Sequence, residues 1–115
     1  METPAGRSQT APAVNAYQTT AHSSSAFVTK FNPDDGSGAV TLAYSTYLGG
    51  VTCCAISYGQ GIAVDSTGAA YVGGTTLQLD FPTLNALPAA NGGGASSTGA
   101  GFVAKLNAYS GSGAV

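Results

Sequence analysis

Residues 26–40 read AFVTKFNPDDGSGAV, and residues 101–115 read GFVAKLNAYSGSGAV. The two stretches align without a gap at an offset of 75 residues, and nine of the fifteen positions are identical. A bias toward Gly, Ser and Ala explains a chance match of GSGAV, but it does not explain the shared F-V-x-K-x-N spacing. Because self-similarity at a fixed period is typical of repeat architectures, the sequence predicts an internal repeat.

A weaker echo pairs residues 12–16 (PAVNA) with residues 82–86 (PTLNA), at an offset of 70. We therefore expect about one and a half repeats, beginning late in one unit and ending partway through the next. The second copy ends at the position equivalent to Val40, so the strand predicted after the first copy has no counterpart within these 115 residues.

Working outward from the repeat, runs of β-branched and aromatic residues alternate with turn sequences, which favours strands. Strands are predicted at 26–31, 39–48, 60–65, 69–75 and 101–106. Residues 1–25 are predicted to be an extended arm from the end of a preceding repeat, and 26–115 a β-propeller-like repeat unit with a long Gly-rich loop. Glycine density and missing caps argue against any helix. The predicted fold class is all-β, with antiparallel sheets.

Charged residues make up only 7% of the chain, against about 25% in ordinary soluble domains. Three Lys and Arg residues are too few for a basic nucleic-acid binder, which neutralises phosphates. The apolar runs are far shorter than the roughly 20 residues of a membrane helix, so no membrane insertion is expected. Ser, Thr, Gly and Ala take the place of charge, which suits an extracellular or cell-surface structural protein.

The inventory of reactive side chains is small. His22 is the single histidine, and the acids number five, whereas general acid–base catalysis needs titratable groups within reach of a substrate. We therefore predict no enzyme activity, no catalytic residue, no metal and no cofactor. Asp34, Asp35 and Asp65 precede glycines and are expected to brace turns, because too few carboxylates cluster there for calcium.

Four blocks of the sequence, in order, resemble the SBBP β-propeller repeat of bacterial and archaeal surface or secreted proteins. They are residues 44–50 (YSTYLGG), 61–72 (GIAVDSTGAAYV), 80–83 (DFPT) and 102–107 (FVAKLN). The resemblance implies four-stranded antiparallel blades, tandem repetition and export, and it implies no established catalytic activity. The sequence departs from the family at 51–57 (VTCCAIS), where a polar stretch is usual, so a calcium role is not carried over.

Cys53 and Cys54 are adjacent. Three states are open for them: a vicinal disulfide, which needs a strained ring, bridges to other positions or to another subunit, and two buried free thiols. Metal or redox chemistry is less favoured, because there is no Cys-x-x-Cys spacing and one His.

A lone half-blade leaves unpaired strand edges, which are templates for another chain. We therefore expect a non-enzymatic structural protein that self-assembles by strand complementation, with other copies of itself as partners and a closed ring or an open filament as the product. The expected assembly interface lies in the apolar connection after the second strand, at Val51, Ala55, Ile56 and Tyr58. The alternative is a ligand- or glycan-binding module of a larger secreted β-propeller, which predicts exposed Tyr beside Asn, Gln or Asp.

Overall fold

The computed structural model describes residues 12–22, 24–51, 55–85 and 99–108. Five strands lie in these ranges: β1 (Ala26–Asn32), β2 (Thr41–Leu48), β3 (Ser57–Val64), β4 (Ala70–Thr76) and β5 (Ala100–Leu106). The described ranges contain no helix, so none there is long and apolar enough to cross a membrane. The prediction of an all-β fold is confirmed for this part of the chain.

The strands form two antiparallel sheets. The hairpin β1–β2 makes one sheet, and β3, β4 and β5 make the other in that order. The strand β3 begins at Ser57 and not at residue 60 as predicted, because the Ser57 hydroxyl bonds that of Thr76 at 2.8 Å and a bulge between Gly59 and Gly61 absorbs one extra residue. The strand β2 begins at Thr41, two residues later than predicted, because the preceding turn is longer.

Aspartates brace both tight turns, as the sequence predicts. Asp34 accepts from the backbone N–H groups of Gly36 and Gly38, each at 2.9 Å. Asp65 accepts from the N–H groups of Thr67 and Ala69 at 2.9 and 3.0 Å. Such local bonds close a turn without long-range contacts, which is why sequence alone identifies them.

The core lies where one face of the β1–β2 hairpin packs on one face of the β3–β4–β5 sheet. From the hairpin come Ala26, Val28, Tyr44 and Leu48, and from the other sheet Ala70, Val72 and Leu106. Tyr44 is among the largest fully buried side chains, and burial raises the pKa of its hydroxyl above the ordinary value. A backbone link joins the sheets, since the Ser57 N–H donates to the Ser24 carbonyl at 2.9 Å.

The sequence repeat is visible in the backbone. Asn15 and Asn85, which occupy equivalent positions in the weaker echo, are the two non-glycine residues with positive φ in the described ranges, at 48° and 49°. The repeated valines have opposite environments, because Val28 is 5% exposed at the core while Val103 is 79% exposed on the outer face of β5. The equivalent asparagines therefore share a left-handed backbone, whereas the equivalent valines differ in what covers them.

The close approach of β4 to its neighbours requires glycine at position 74. A Cβ there would overlap the Tyr58 carbonyl oxygen and lie 2.8 Å from the Phe102 ring, whereas a Cβ at Gly61 would meet nothing within 4 Å. We expect Gly74→Ala to lower the free energy of unfolding by about 3 kcal/mol and the control Gly61→Ala to change it by less than about 1 kcal/mol. Urea unfolding measures both, and equal losses would contradict this account.

Candidate functional site

The N-terminal arm closes the edge of β2 that faces away from β1. Val14 and Ser45 exchange backbone hydrogen bonds at 3.0 and 2.8 Å, and the Tyr47 N–H donates to the Gln18 carbonyl at 3.1 Å. The left-handed backbone at Asn15 accompanies a hydrogen bond from its side-chain amide to the Ala43 carbonyl at 2.8 Å. The predicted extended arm is thus a partner of β2 over residues 14–18.

Two glutamine side chains hold the glycine pair that follows β2. The Gln18 amide accepts from the Gly49 N–H at 2.9 Å and donates to the Gly49 carbonyl at 2.8 Å. The Gln78 amide does the same with Gly50, at 2.8 and 3.0 Å. A Cβ at Gly49 would lie 2.6 Å from the Ser25 hydroxyl oxygen, so only glycine lets these elements approach so closely.

The outer edges of β1 and β5 differ from that of β2. In the described ranges, no backbone hydrogen bond is formed along the edge of β1 that faces away from β2, or along the edge of β5 that faces away from β4. Exposed apolar side chains accompany both edges, with Phe27 and Phe31 on β1 and Val103 on β5. An unpaired row of N–H and C=O groups beside apolar surface is suited to strand addition.

A groove of about 290 Å³ runs between the open edge of β1 and the second sheet. We call it the β1 groove, and its lining residues are Phe27, Val28, Thr29, Gly59, Gln60, Gly61, Ile62 and Val72. Phe27 is 63% exposed and Ile62 60% exposed. The β1 groove therefore combines backbone groups that a strand can pair with and apolar side chains that the same strand would cover.

A polar cluster lies at the β3–β4 turn. The Tyr71 hydroxyl donates to Asp65 at 3.2 Å, and the Lys105 ammonium nitrogen lies 5.2 Å from the centre of the Tyr71 ring. The hydrogen bond from the Thr67 hydroxyl, at 2.6 Å, is the main reason that the pKa of Asp65 is lowered to about 2. The Tyr71 side chain in turn raises the pKa of Lys105.

The residues of the predicted interface differ in their exposure to solvent. Val51 and Tyr58 are exposed, while Ala55 and Ile56 are half-buried. The Ile56 carbonyl accepts from the Leu77 N–H at 2.9 Å, so its backbone already joins two parts of the same chain. Whether these positions meet another copy stays a prediction. Cys53 and Cys54 lie outside the described residues, as does residue 52.

In the described part of the chain, no three His, Cys, Asp or Glu side chains come together in a group that could hold a metal ion. His22 is exposed in the arm. The predictions of no cofactor and no enzyme activity remain predictions from the sequence.

No protein-family profile, curated protein or solved structure matches the chain. The resemblance to the SBBP repeat therefore also stays a prediction, which rests on the four sequence blocks.

Sequence reasoning missed the β1 groove. It also missed the two glutamine clamps, which are the paired hydrogen bonds of the Gln18 amide with Gly49 and of the Gln78 amide with Gly50. No motif marks Gln18 or Gln78, and no spacing rule relates them to Gly49 and Gly50. A signal for the groove did exist. Phe27 repeats Phe102, yet the DFPT block that supplies a stacking partner to Phe102 has no copy before Phe27.

The Gln78 clamp is testable by stability measurements. Gln78→Ala leaves the buried N–H and carbonyl of Gly50 without their partner, so we expect the free energy of unfolding to fall by about 2–4 kcal/mol. The control Gln60→Ala removes an exposed glutamine and is expected to cost less than about 0.5 kcal/mol. Chemical denaturation followed by circular dichroism distinguishes the two, and a small loss at position 78 would refute the clamp.

The lowered pKa of Asp65 predicts an acid-dependent stability. Because the ordinary pKa of aspartate is about 3.9, the stabilisation by this carboxylate is present above about pH 4 and is lost as the pH falls toward 2. Thr67→Ala removes the strongest cause, so the pKa of Asp65 should rise toward its ordinary value. Carboxyl-carbon NMR titration measures this pKa in both proteins, and an unshifted pKa in the variant would contradict the assignment.

Proposed function

We propose that this chain is a non-enzymatic structural module that self-assembles by β-strand complementation. The observation that carries the proposal is the contrast between edges. The chain covers the edge of β2 with its own arm, while in the described part of the chain the outer edges of β1 and β5 form no backbone hydrogen bonds and lie beside apolar side chains. A strand of another copy would pair these groups and remove the apolar surface from water.

The composition supports the same conclusion. With a formal net charge of −2 and 7% charged residues, copies of the chain repel each other weakly. Exposed apolar side chains on several strands add a favourable term for association. This combination suits an extracellular or cell-surface structural protein better than a protein that must stay monomeric at high concentration.

The architecture that we propose is a β-propeller blade of the SBBP type. In it, β3, β4 and β5 are three strands of a four-stranded antiparallel blade, and β1 and β2 are the outer half of the neighbouring blade. The strand order, the antiparallel registers and the 75-residue repeat support this arrangement. Typically four to eight blades close a propeller, so one chain needs further units.

One observation favours the alternative function, a glycan-binding module. Tyr58 and Tyr71 are both exposed on the second sheet, with Gln60 and Asp65 nearby in sequence, which is the kind of grouping that sugars stack on. The Lys105 ammonium group lies over the Tyr71 ring, however, and occupies one of its faces. A glycan array would detect this activity, and binding that Tyr71→Ala abolishes would support it.

Light scattering on the purified chain tests self-assembly. We expect masses that are multiples of 11.2 kDa, and electron microscopy then distinguishes rings from filaments. A monodisperse monomer at high concentration would refute the proposal.

The expected interface in the 51–58 segment has its own test. If the exposed Tyr58 ring is covered on assembly, Tyr58→Asp places a charge in an apolar contact and raises the dissociation constant at least about tenfold. Val40→Asp, at another exposed apolar position in the β1–β2 turn, is the matched control. Equal effects of the two variants in sedimentation velocity would exclude Tyr58 from the interface.

A further inference from the structure

We propose that copies of this chain exchange a strand: β1 of one copy replaces β5 beside β4 of a second copy, with Phe27 opposite Gly74. The inference rests on the proposed self-assembly and specifies which strand moves, which strand it joins and in which register. Its basis is the β4–β5 pair within one chain, which serves as the template for the proposed pair of β4 with β1 of another copy.

The template is the packing of Phe102. In the β4–β5 pair, Phe102 lies directly opposite Gly74. Its ring occupies the space that a Cβ on Gly74 would take, at 2.8 Å, and lies 4.3 Å from the Phe81 ring, centre to centre. A glycine on one strand and an aromatic ring on the other thus define the register of this pair.

Phe27 is the repeat equivalent of Phe102, and among the described residues no aromatic ring stacks on it as Phe81 does on Phe102. The offset of 75 residues carries the observed pair of Phe102 and Gly74 onto Phe27 and Gly74 of a second copy. Phe27 is 63% exposed and lines the β1 groove, which lies along the open edge of β1. The β4 edge of the second copy would therefore lie along the mouth of the β1 groove, where it would also cover Ile62.

Charge complementarity supports the same register. On β5, Lys105 is opposite Tyr71 and its ammonium group lies over the Tyr71 ring, near the Asp65 carboxylate that accepts from the Tyr71 hydroxyl. Lys30 is the repeat equivalent of Lys105. In the exchanged pair, Lys30 would lie opposite Tyr71 of the second copy and meet its Asp65, so the one cation on β1 finds an anion and an aromatic face.

The connections indicate which strand moves. The turn between β1 and β2 is closed by hydrogen bonds to Asp34 and Asp35, so these two strands move as one hairpin. The strand β5 follows β4 after residues 77–99, a far longer connection in sequence than the β1–β2 turn. Replacement of β5 by the hairpin creates a four-stranded sheet in the order β3, β4, β1 and β2, and the apolar surface of the β1 groove becomes buried.

The register is tested by intermolecular cross-linking of the full chain. Both native cysteines are first changed, by Cys53→Ser and Cys54→Ser. Copies that carry Lys30→Cys and a mass tag are mixed with copies that carry Tyr71→Cys, under a mild oxidant. Both positions lie at the surface or half-buried, so the fold should tolerate the substitutions. We expect a disulfide-linked heterodimer in this mixture, and at least tenfold less from a control mixture of Lys105→Cys with Tyr71→Cys copies.

Each outcome separates the two proposals. Assembly without the 30–71 cross-link overturns the strand exchange and leaves self-assembly standing. A 30–71 heterodimer without larger species supports the exchange and refutes assembly beyond pairs. If the chain shows neither assembly nor the 30–71 cross-link, both proposals are refuted. Equal cross-linking from positions 30 and 105 also overturns the exchange, because it shows no preference for β1 over β5.

A second variant gives an independent measurement. Phe27 is already exposed in the single copy, so Phe27→Ser is expected to leave the unfolding transition nearly unchanged while it lowers the yield of the 30–71 heterodimer at least tenfold. Leu79→Ser, another exposed apolar position, is the control and should leave the yield unchanged. An unaltered yield with Phe27→Ser would refute the ring-on-glycine register.

Discussion

A β-strand carries backbone N–H and C=O groups along both edges, and each edge needs a hydrogen-bonding partner, either another strand or water. Here the inner edges pair in two antiparallel sheets, and the chain's own arm covers the outer edge of β2. Ser45 and Tyr47, which bond the arm, are both buried. Among the described residues the outer edges of β1 and β5 form no backbone hydrogen bonds, and the proposed function is argued from them.

The glycine pair after β2 connects the arm, the hairpin and the second sheet. Gln18 binds one of these glycines and Gln78 the other, each through both amide atoms. The same Gln78 oxygen accepts from the Ser57 hydroxyl at 2.6 Å, at the start of β3. The groups bonded by Gln78 are buried and those bonded by Gln18 are partly buried, so each depends on its partner. The glycine pair thus connects the arm, β2 and the second sheet, which are far apart in sequence.

Local sequence predicted the parts of this fold that depend on local interactions. The turns at Asp34 and Asp65 follow from side-chain bonds to nearby backbone groups, and the strands follow from β-branched and aromatic runs. The start of β3 was predicted three residues too late, because pairing of Ser57 with the distant Thr76 decides it. The β1 groove was not predicted, since it depends on how two sheets pack.

The sequence by itself determined the strands and turns of the described ranges, because these depend on residue types a few positions apart, and it determined the repeat through the direct match of two stretches. The tertiary structure alone decided which copy of each repeated residue is covered. Val28 and Val103 each follow a phenylalanine and stand two positions before a lysine, yet one lies in the core and the other is exposed. The physical reason is that burial depends on which sheet faces a residue, and that is set by long-range packing.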